Sequence, residues 1–288
     1  MVATTEAEQV DGVQEFAPPR FDAADQRGIR SYLAEHGFAC VRGCVTAGEL
    51  RHAHDLLWNH LEGVEEGTRR MTQRRPMGWR REQPQTWLEG HGDALMTSTT
   101  HCESMWYVRS RPGVMAAFHA AYQTTEDSEL VAAYDRMSVN LPTSSGNEEV
   151  IRVASTTTAH GKFGVAQQMH THSGRFYGPD YAGLEFYGIV PLFDMNAKTG
   201  ATALVPGSHL KVDEINAYRE EHWQTRHQRP EWTEDDRLAF AADLECFRSN
   251  GLEPVVTNVH AGDCVLFGEK CCLLPIGKPL LSVESADV

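Results

Sequence analysis

Residues 200–210 read GATALVPGSHL, and this phrase lies within a series of short strand-like stretches. Before it, 165–172 (VAQQMHTH) and 184–193 (LEFYGIVPLF) have the apolar and β-branched character of strands. After it, 255–259 and 264–267 have the same character, and Gly and Pro turns separate the stretches. Many short strands separated by turns predict a β-sandwich or barrel.

Helical patterns precede this β region. Residues 21–35 carry an apolar stripe at helical spacing, and Gly37 supplies a stop. Thr46 and Glu49 form a capping box before a second helix, and Pro112 starts another. Helices followed by short strands predict a mainly β fold with flanking helices, specifically a jelly-roll barrel.

The domain organisation follows from the same pass along the chain. Residues 1–20 are polar and acidic and end in two prolines, so we expect a disordered N-terminal lead. No later stretch has the composition of a linker, which predicts a single domain over 21–288. Within it, 65–100 forms a long loop and 212–246 a polar helical insert.

Charge and hydropathy limit the partners. The chain has 40 acidic and 26 basic side chains, a net charge of −14, which is the wrong sign for a protein that neutralises nucleic-acid phosphates. An arginine-rich stretch at 69–81 is interpreted as a solvated or substrate-facing loop. No apolar run approaches the roughly 20 residues of a membrane helix. We therefore expect a small-molecule substrate, and neither nucleic acid nor membrane.

The seven cysteines indicate the cellular compartment. Their number is odd, and they show no CxxC pair and no framework spacing. The first residues also lack the apolar core of a signal peptide. This pattern predicts reduced thiols in a cytoplasmic protein.

The densest chemical signal is the pair His170 and His172. In an extended strand, side chains two residues apart point to one face, so both imidazoles would enter the barrel. Two neighbouring imidazoles suit a divalent first-row metal. By contrast, His209 after Pro206-Gly207 is predicted to cap a bend, and His101, His119, His160 and His260 are predicted to be structural.

Together these segments resemble the phytanoyl-CoA dioxygenase-like family of iron(II)/2-oxoglutarate-dependent oxygenases. The resemblance covers most of the chain, and its most specific phrase is VPGSH after a Gly-Ala-Thr turn. It rests on SYLAEHGFACVRGCVTAGEL (31–50), MWYVRSRPGV (105–114), YDRMSVNLP (134–142), the histidine strand 165–172, GATALVPGSHL (200–210) and AGDCVLF (261–267).

The resemblance implies a double-stranded β-helix, the cupin-like form of the jelly roll, with Fe(II) and 2-oxoglutarate as cofactor and cosubstrate. In this family a His-x-Asp/Glu pair and a distal histidine hold the iron, and an arginine just beyond binds the 2-oxoglutarate carboxylate. The implied activity is a dioxygenase, a hydroxylase-type oxidoreductase.

The sequence departs from the family pattern first at the histidine strand, where no carboxylate follows at the expected spacing. In one register His170 is the first ligand and His172 takes the place of the acid. In the other, His172 is the ligand and Gly174 takes that place, which resembles the non-haem iron halogenases, where a small residue leaves room for chloride. Both registers stay open, with His170 and His172 as the candidate metal ligands.

The second departure is at the C-terminal end. Between 268 and 288 the chain has neither a histidine nor an arginine, so the distal ligand and the carboxylate clamp are missing. Truncation, alternative splicing and a mispredicted end are the explanations left open. Three functions therefore remain: an oxygenase with an incomplete site, a non-catalytic family member that binds a ligand or partner, and a halogenase using the His172-x-Gly174 register.

Overall fold

A computed structural model describes residues 14–62, 102–130, 186–196, 201–223, 245–268 and 270–276. In these stretches the elements are β1 (Gln14–Phe16), β2 (Arg20–Phe21), α1 (Gln26–His36), β3 (Phe38–Val41), α2 (Ala47–Glu62), α3 (Glu103–Arg109), α4 (Pro112–Tyr122), β4 (Phe186–Ile189), β5 (Ala201–Leu204), α5 (Val212–Trp223), β6 (Val255–Thr257), β7 (Cys264–Gly268) and β8 (Leu273–Ile276). Single 3₁₀ turns occur at Asp127–Glu129 and Ser208–Leu210.

The strands form two four-stranded sheets. The first sheet has the order β1-β6-β5-β8, and the second has the order β2-β3-β7-β4. All pairings are antiparallel except β1 with β6 and β2 with β3, which are parallel. The chain therefore crosses between the sheets four times, after β1, β4, β6 and β7.

Side-chain alternation along β3 and β7 produces a layered arrangement. Phe38 and Cys40 of β3 face a buried core that both sheets share, which we call the inter-sheet core. Ala39 and Val41 face the opposite side, where they pack against α1 and α4. The inter-sheet core contains Phe38, Cys40, Met195, Ala201, Leu204, Val256, Val259, Val265, Phe267 and Cys271.

Helical segments also pack on the other side of the first sheet. Ala203 and Val205 pack there with Ile215 of α5 and with Phe247 in the helical turn at 245–249. The described part of the chain is thus a pair of sheets with helices on both outer sides. This confirms the prediction of strands combined with flanking helices, and it confirms α1 as a helix packed outside one sheet.

Local sequence signals explain where the helices begin and end. The Asp25 side chain accepts a hydrogen bond from the Gly28 N–H at the start of α1, and Gly37 ends this helix in the left-handed region, with φ of 82°. At α2, the Thr46 N–H donates to Glu49 and the Glu49 N–H donates to Thr46 Oγ1, as the capping box predicts. Pro112 begins α4 as predicted.

The structure corrects two sequence-based predictions. Residues 14–16 and 20 belong to the lead that we expected to be disordered, yet they form β1 and the first residue of β2, and Phe21, placed in the first helix, is the second residue of β2. Residues 273–276 were not among the predicted strands, yet β8 pairs with β5 in antiparallel register. Both errors concern very short strands whose pairing partners are distant in the chain.

Several predicted features lie outside the described residues: the strand at 165–172, the loop at 65–100, and 224–244 of the predicted insert. Among the helices that the structure does describe, none has the length and apolar character needed to cross a membrane.

Candidate functional site

The predicted metal ligands His170 and His172 lie outside the described residues, as does Gly174 of the alternative register. The proposed pairing of the two imidazoles therefore stays a prediction. Within the described ranges, no group of three or more His, Cys, Asp or Glu side chains is placed to hold a metal ion. Any iron centre must therefore draw ligands from elsewhere in the chain.

The connection between β7 and β8 is the part of the predicted site that the structure does show. It crosses from the second sheet to the first, and backbone hydrogen bonds fix its ends. The Gly268 N–H donates to Gly37 O at 2.9 Å, and the Val205 N–H donates to Cys272 O at 3.0 Å. The Cys272 N–H donates to Ser208 Oγ at 2.8 Å. The connection is thus tied to α1 and to the GSH segment after β5.

Cys271 and Cys272 point in opposite directions from this connection. Cys271 lies in the inter-sheet core, whereas Cys272 packs on the outer side of the first sheet with α5. Burial, and secondarily the nearby Cys272 thiol, raises the pKa of Cys271 to about 12, so the thiol stays protonated at neutral pH. A metal binds the thiolate rather than the thiol. In the structure Cys271 is therefore a buried, protonated thiol that packs in the inter-sheet core.

The histidines that we predicted to be structural have structural contacts where they are described, and so does Arg111. His119 lies 2.8 Å from Thr124 Oγ1 and 3.0 Å from Asp127 Oδ1, linking α4 to the following turn. The guanidinium of Arg111 lies 3.8 Å from the centre of the Tyr107 ring. His260 lies 3.8 Å from Asp194. His101 and His160 are outside the described residues.

His209 performs a different task from the predicted one. Its Nε2 lies 3.0 Å from Ala34 O, so the ring joins the turn after β5 to the last turn of α1. Its Nδ1 is buried beside Gly37 and has no hydrogen-bond partner in the structure. A Cβ at position 37 would approach Nδ1 to 2.6 Å, so the glycine leaves room for the imidazole as well as ending the helix.

A buried ion pair was missed by the sequence analysis. Asp263 is 1% exposed, and its carboxylate accepts hydrogen bonds from Arg20 Nε at 2.7 Å and from Arg20 Nη2 at 2.9 Å. The Gly43 N–H adds a third bond to this carboxylate at 2.9 Å. The hydrogen bond to Asp263 in turn raises the pKa of Arg20. No local signal marks this pair, because its members are 243 residues apart.

The thiols next to this ion pair are also neutral. Burial raises the pKa of Cys40 to about 12, and the Asp263 carboxylate adds to this effect. The pKa of Cys264 is raised by its hydrogen bond with the Cys44 thiol and by burial. All seven cysteines are buried, and none forms a disulfide in the structure.

The thiols should accordingly be unreactive in the folded protein. With 5,5′-dithiobis(2-nitrobenzoate) at pH 8, we expect less than one thiol per chain to react quickly, because burial removes both access and thiolate. The same chain unfolded in guanidinium should give the absorbance expected for seven reacted thiols. Rapid labelling of any one cysteine without denaturant would contradict the burial described above.

The family can now be stated from comparison with known proteins. The model of the phytanoyl-CoA dioxygenase (PhyH) family matches residues 33–272, and the chain belongs to this family. The match runs from the last turns of α1 to Cys272 and includes strands of both sheets. The resemblance identified in the sequence is thereby confirmed, with Fe(II) and 2-oxoglutarate as the cofactors of the family.

Solved structures give more distant likenesses. The non-haem α-ketoglutarate-dependent epimerase SnoN from nogalamycin biosynthesis is 15% identical, with a TM-score of 0.44 over 88% of this chain and 76% of that one. The carbocyclase SnoK from the same biosynthesis is 12% identical, with a TM-score of 0.46 over 92% and 83%.

EvdO2 from Micromonospora carbonacea var. aurantiaca, solved with 2-oxoglutarate, is 12% identical, with a TM-score of 0.43 over 86% of this chain and 83% of that one. These likenesses are too distant to carry an argument about this chain. A search of curated protein sequences found no significant match. The family assignment therefore rests on the family model.

Proposed function

We propose that this chain is an iron(II)- and 2-oxoglutarate-dependent oxygenase of the hydroxylase type that acts on a small organic substrate. The observation that carries the proposal is the family match over 33–272. The proposal assigns iron binding to His170 and His172. It places them in a jelly-roll domain over 21–288, an arrangement that the two sheets with a shared core support. Seven free cysteines support a cytoplasmic location.

The described residues do not complete such a site. The β7–β8 connection presents a protonated thiol to the inter-sheet core, and residues 268–288 contain neither histidine nor arginine. Two neutral imidazoles supply neither a third facial ligand nor negative charge to offset Fe²⁺.

A second function is favoured by that same connection. A family member without a distal ligand and a carboxylate clamp fits a non-catalytic protein that binds a ligand or partner. The two proposals differ in one measurable property, because only the oxygenase must hold Fe(II) and 2-oxoglutarate together. The halogenase alternative needs the same cofactors and adds a dependence of turnover on chloride.

The test is calorimetric titration of the anaerobic protein with Fe(II) and then with 2-oxoglutarate, followed by measurement of succinate after oxygen is admitted. Because the site is incomplete, we expect the oxygenase to bind both weakly and to release succinate slowly, whereas a non-catalytic protein would release none. Losing the charge-assisted hydrogen bonds of an arginine costs on the order of 1.5–3 kcal/mol, which weakens 2-oxoglutarate binding roughly ten- to a hundredfold.

The variant His172→Ala is the control, since both registers use His172. Micromolar binding of Fe(II) and 2-oxoglutarate, with succinate release that this variant loses, would establish the oxygenase and show that further residues complete its site. Binding of neither, together with a titration that His172→Ala leaves unchanged, would favour the non-catalytic protein.

A further inference from the structure

Residues 14–21, which we call the strap, cross from one sheet to the other. β1 pairs with β6 at the edge of the first sheet, and β2 pairs with β3 at the edge of the second sheet. Between them lies Pro18, which is buried. The strap therefore joins the two sheets along the side where β6 and β3 would otherwise be edges.

The strap also covers part of the inter-sheet core. Phe16 packs against this core, and its ring meets the Phe38 ring edge-on, with centroids 6.5 Å apart. Backbone hydrogen bonds fix both ends of the strap: the Asn258 N–H donates to Phe16 O at 2.8 Å, and the Arg42 N–H donates to Phe21 O at 2.9 Å. Lifting the strap would expose Phe38 and the edge of β6.

The ion pair described above holds the strap in place. Arg20 belongs to the strap, and its partner Asp263 belongs to the turn that leads into β7. The Arg20 side chain is 43% exposed, whereas the Asp263 side chain is almost fully buried. Lifting the strap would leave Asp263 without its cation, and an uncompensated buried charge is strongly unfavourable.

The rest of the attachment is small. β1 has three residues and β2 has two, so few backbone hydrogen bonds join the strap to the sheets, and its apolar contacts are those of Phe16, Pro18 and Phe21. Segments with such limited attachment open at a lower free energy than the whole domain unfolds. The ion pair adds a charged contact to this short attachment.

We propose that the strap is a separable cover of the inter-sheet core, held closed by the Arg20–Asp263 ion pair. It opens while α1, α4 and the paired centres of both sheets stay folded. The proposal does not depend on whether the chain binds iron, since every residue in it lies outside the predicted metal ligands.

The test is hydrogen–deuterium exchange of the full chain, resolved to short peptides. In Arg20→Ala, the amides of the strap and of Asn258 should exchange roughly ten- to a hundredfold faster, since charge-assisted hydrogen bonds are lost. Amides in the middle of α4, which packs on the far side of the second sheet, should exchange at the original rate. Equal acceleration of both regions, or unchanged exchange of the strap, would overturn the proposal.

Arg42→Ala is the matched control. Arg42 also forms an ion pair next to the strap, with Asp22 at 3.4 Å, but both side chains are more than half exposed. Exposed pairs contribute little, so strap exchange should change at most about fivefold. A change as large as that in Arg20→Ala would mean that any lost arginine loosens the strap, which contradicts a specific role for the buried pair.

The unmodified protein provides a second measurement if Arg20→Ala does not fold. In low concentrations of guanidinium chloride, exchange of the strap amides should be almost independent of denaturant, because the opening exposes little surface. Exchange in α4 should rise steeply with denaturant. A common slope for both regions would show that the strap leaves only when the whole domain unfolds, and the proposal would be wrong.

Discussion

Replacing Phe38 with alanine is expected to lower the free energy of unfolding by about 3–5 kcal/mol. Phe38 is fully buried in the inter-sheet core, and the ring of Tyr32 meets it nearly at a right angle, with centroids 5.6 Å apart. Removing the ring leaves a cavity between the two sheets. The sheets cannot approach each other to fill it, because strand pairing fixes their backbones. Urea denaturation followed by circular dichroism gives the value, with an unchanged m-value as the sign of two-state unfolding.

Phe193→Ala is the control for this prediction. Phe193 is 61% exposed and stacks on His54 with ring centroids 4.3 Å apart. The loss should not exceed about 1.5 kcal/mol, the upper value for one aromatic pair. Similar losses in both variants would mean that Phe38 is not the buried centre that joins the two sheets.

Replacing Gly262 with alanine is the second large effect. Gly262 has φ of +83°, and a Cβ there would lie 2.3 Å from Val45 O. The left-handed conformation alone costs an alanine about 1–2 kcal/mol. The overlap with a backbone carbonyl cannot be relieved by a side-chain rotation, so we expect a further cost of about 1–3 kcal/mol. The shift would also strain the 2.9 Å hydrogen bond from the Val45 N–H to Gly262 O.

Gly251→Ala separates the two contributions. Gly251 has φ of +71°, but no atom lies within 4 Å of its added Cβ. This variant should therefore lose only the conformational part, about 1–2 kcal/mol. Thermal unfolding of both variants beside the unmodified chain is the measurement. If the two variants are equally stable, the close approach of Val45 O to position 262 is not what requires glycine there.

The sequence predicts those parts of the fold whose signals are local. Gly37 ends α1, Thr46 and Glu49 cap α2, and Pro112 begins α4, because each of these residues acts on backbone groups within a few positions. In all three cases the structural cause lies inside the stretch that carries the pattern.

The missed strands have causes outside their own sequence. β1 and β2 are too short to show any periodicity, and they are strands because β6 and β3 have free edges at the right places. β8 contains Pro275, which argues against a strand when the sequence is considered alone. Such elements follow from the tertiary arrangement, which single-sequence patterns do not contain.

The candidate site likewise has features that the sequence shows and features that only the structure shows. The absence of histidine and arginine after Gly268 is a fact of the sequence, whereas the opposite directions of Cys271 and Cys272 are visible only in the structure. Likewise, Asp263 was predicted only as part of a turn. Its pairing with Arg20 depends on the strap reaching the far end of the chain.

The pairing of β3 with β7 also has a consequence during synthesis on the ribosome. Cys40 and Asp263, which meet where these two strands pair, are 223 residues apart. At the usual 5–20 residues per second, roughly 10–45 s pass between the emergence of the first and of the second. During that interval β3, whose four residues are all buried in the finished fold, is an apolar strand without its partner. The nascent chain thus carries an aggregation-prone segment until β7 has been synthesised.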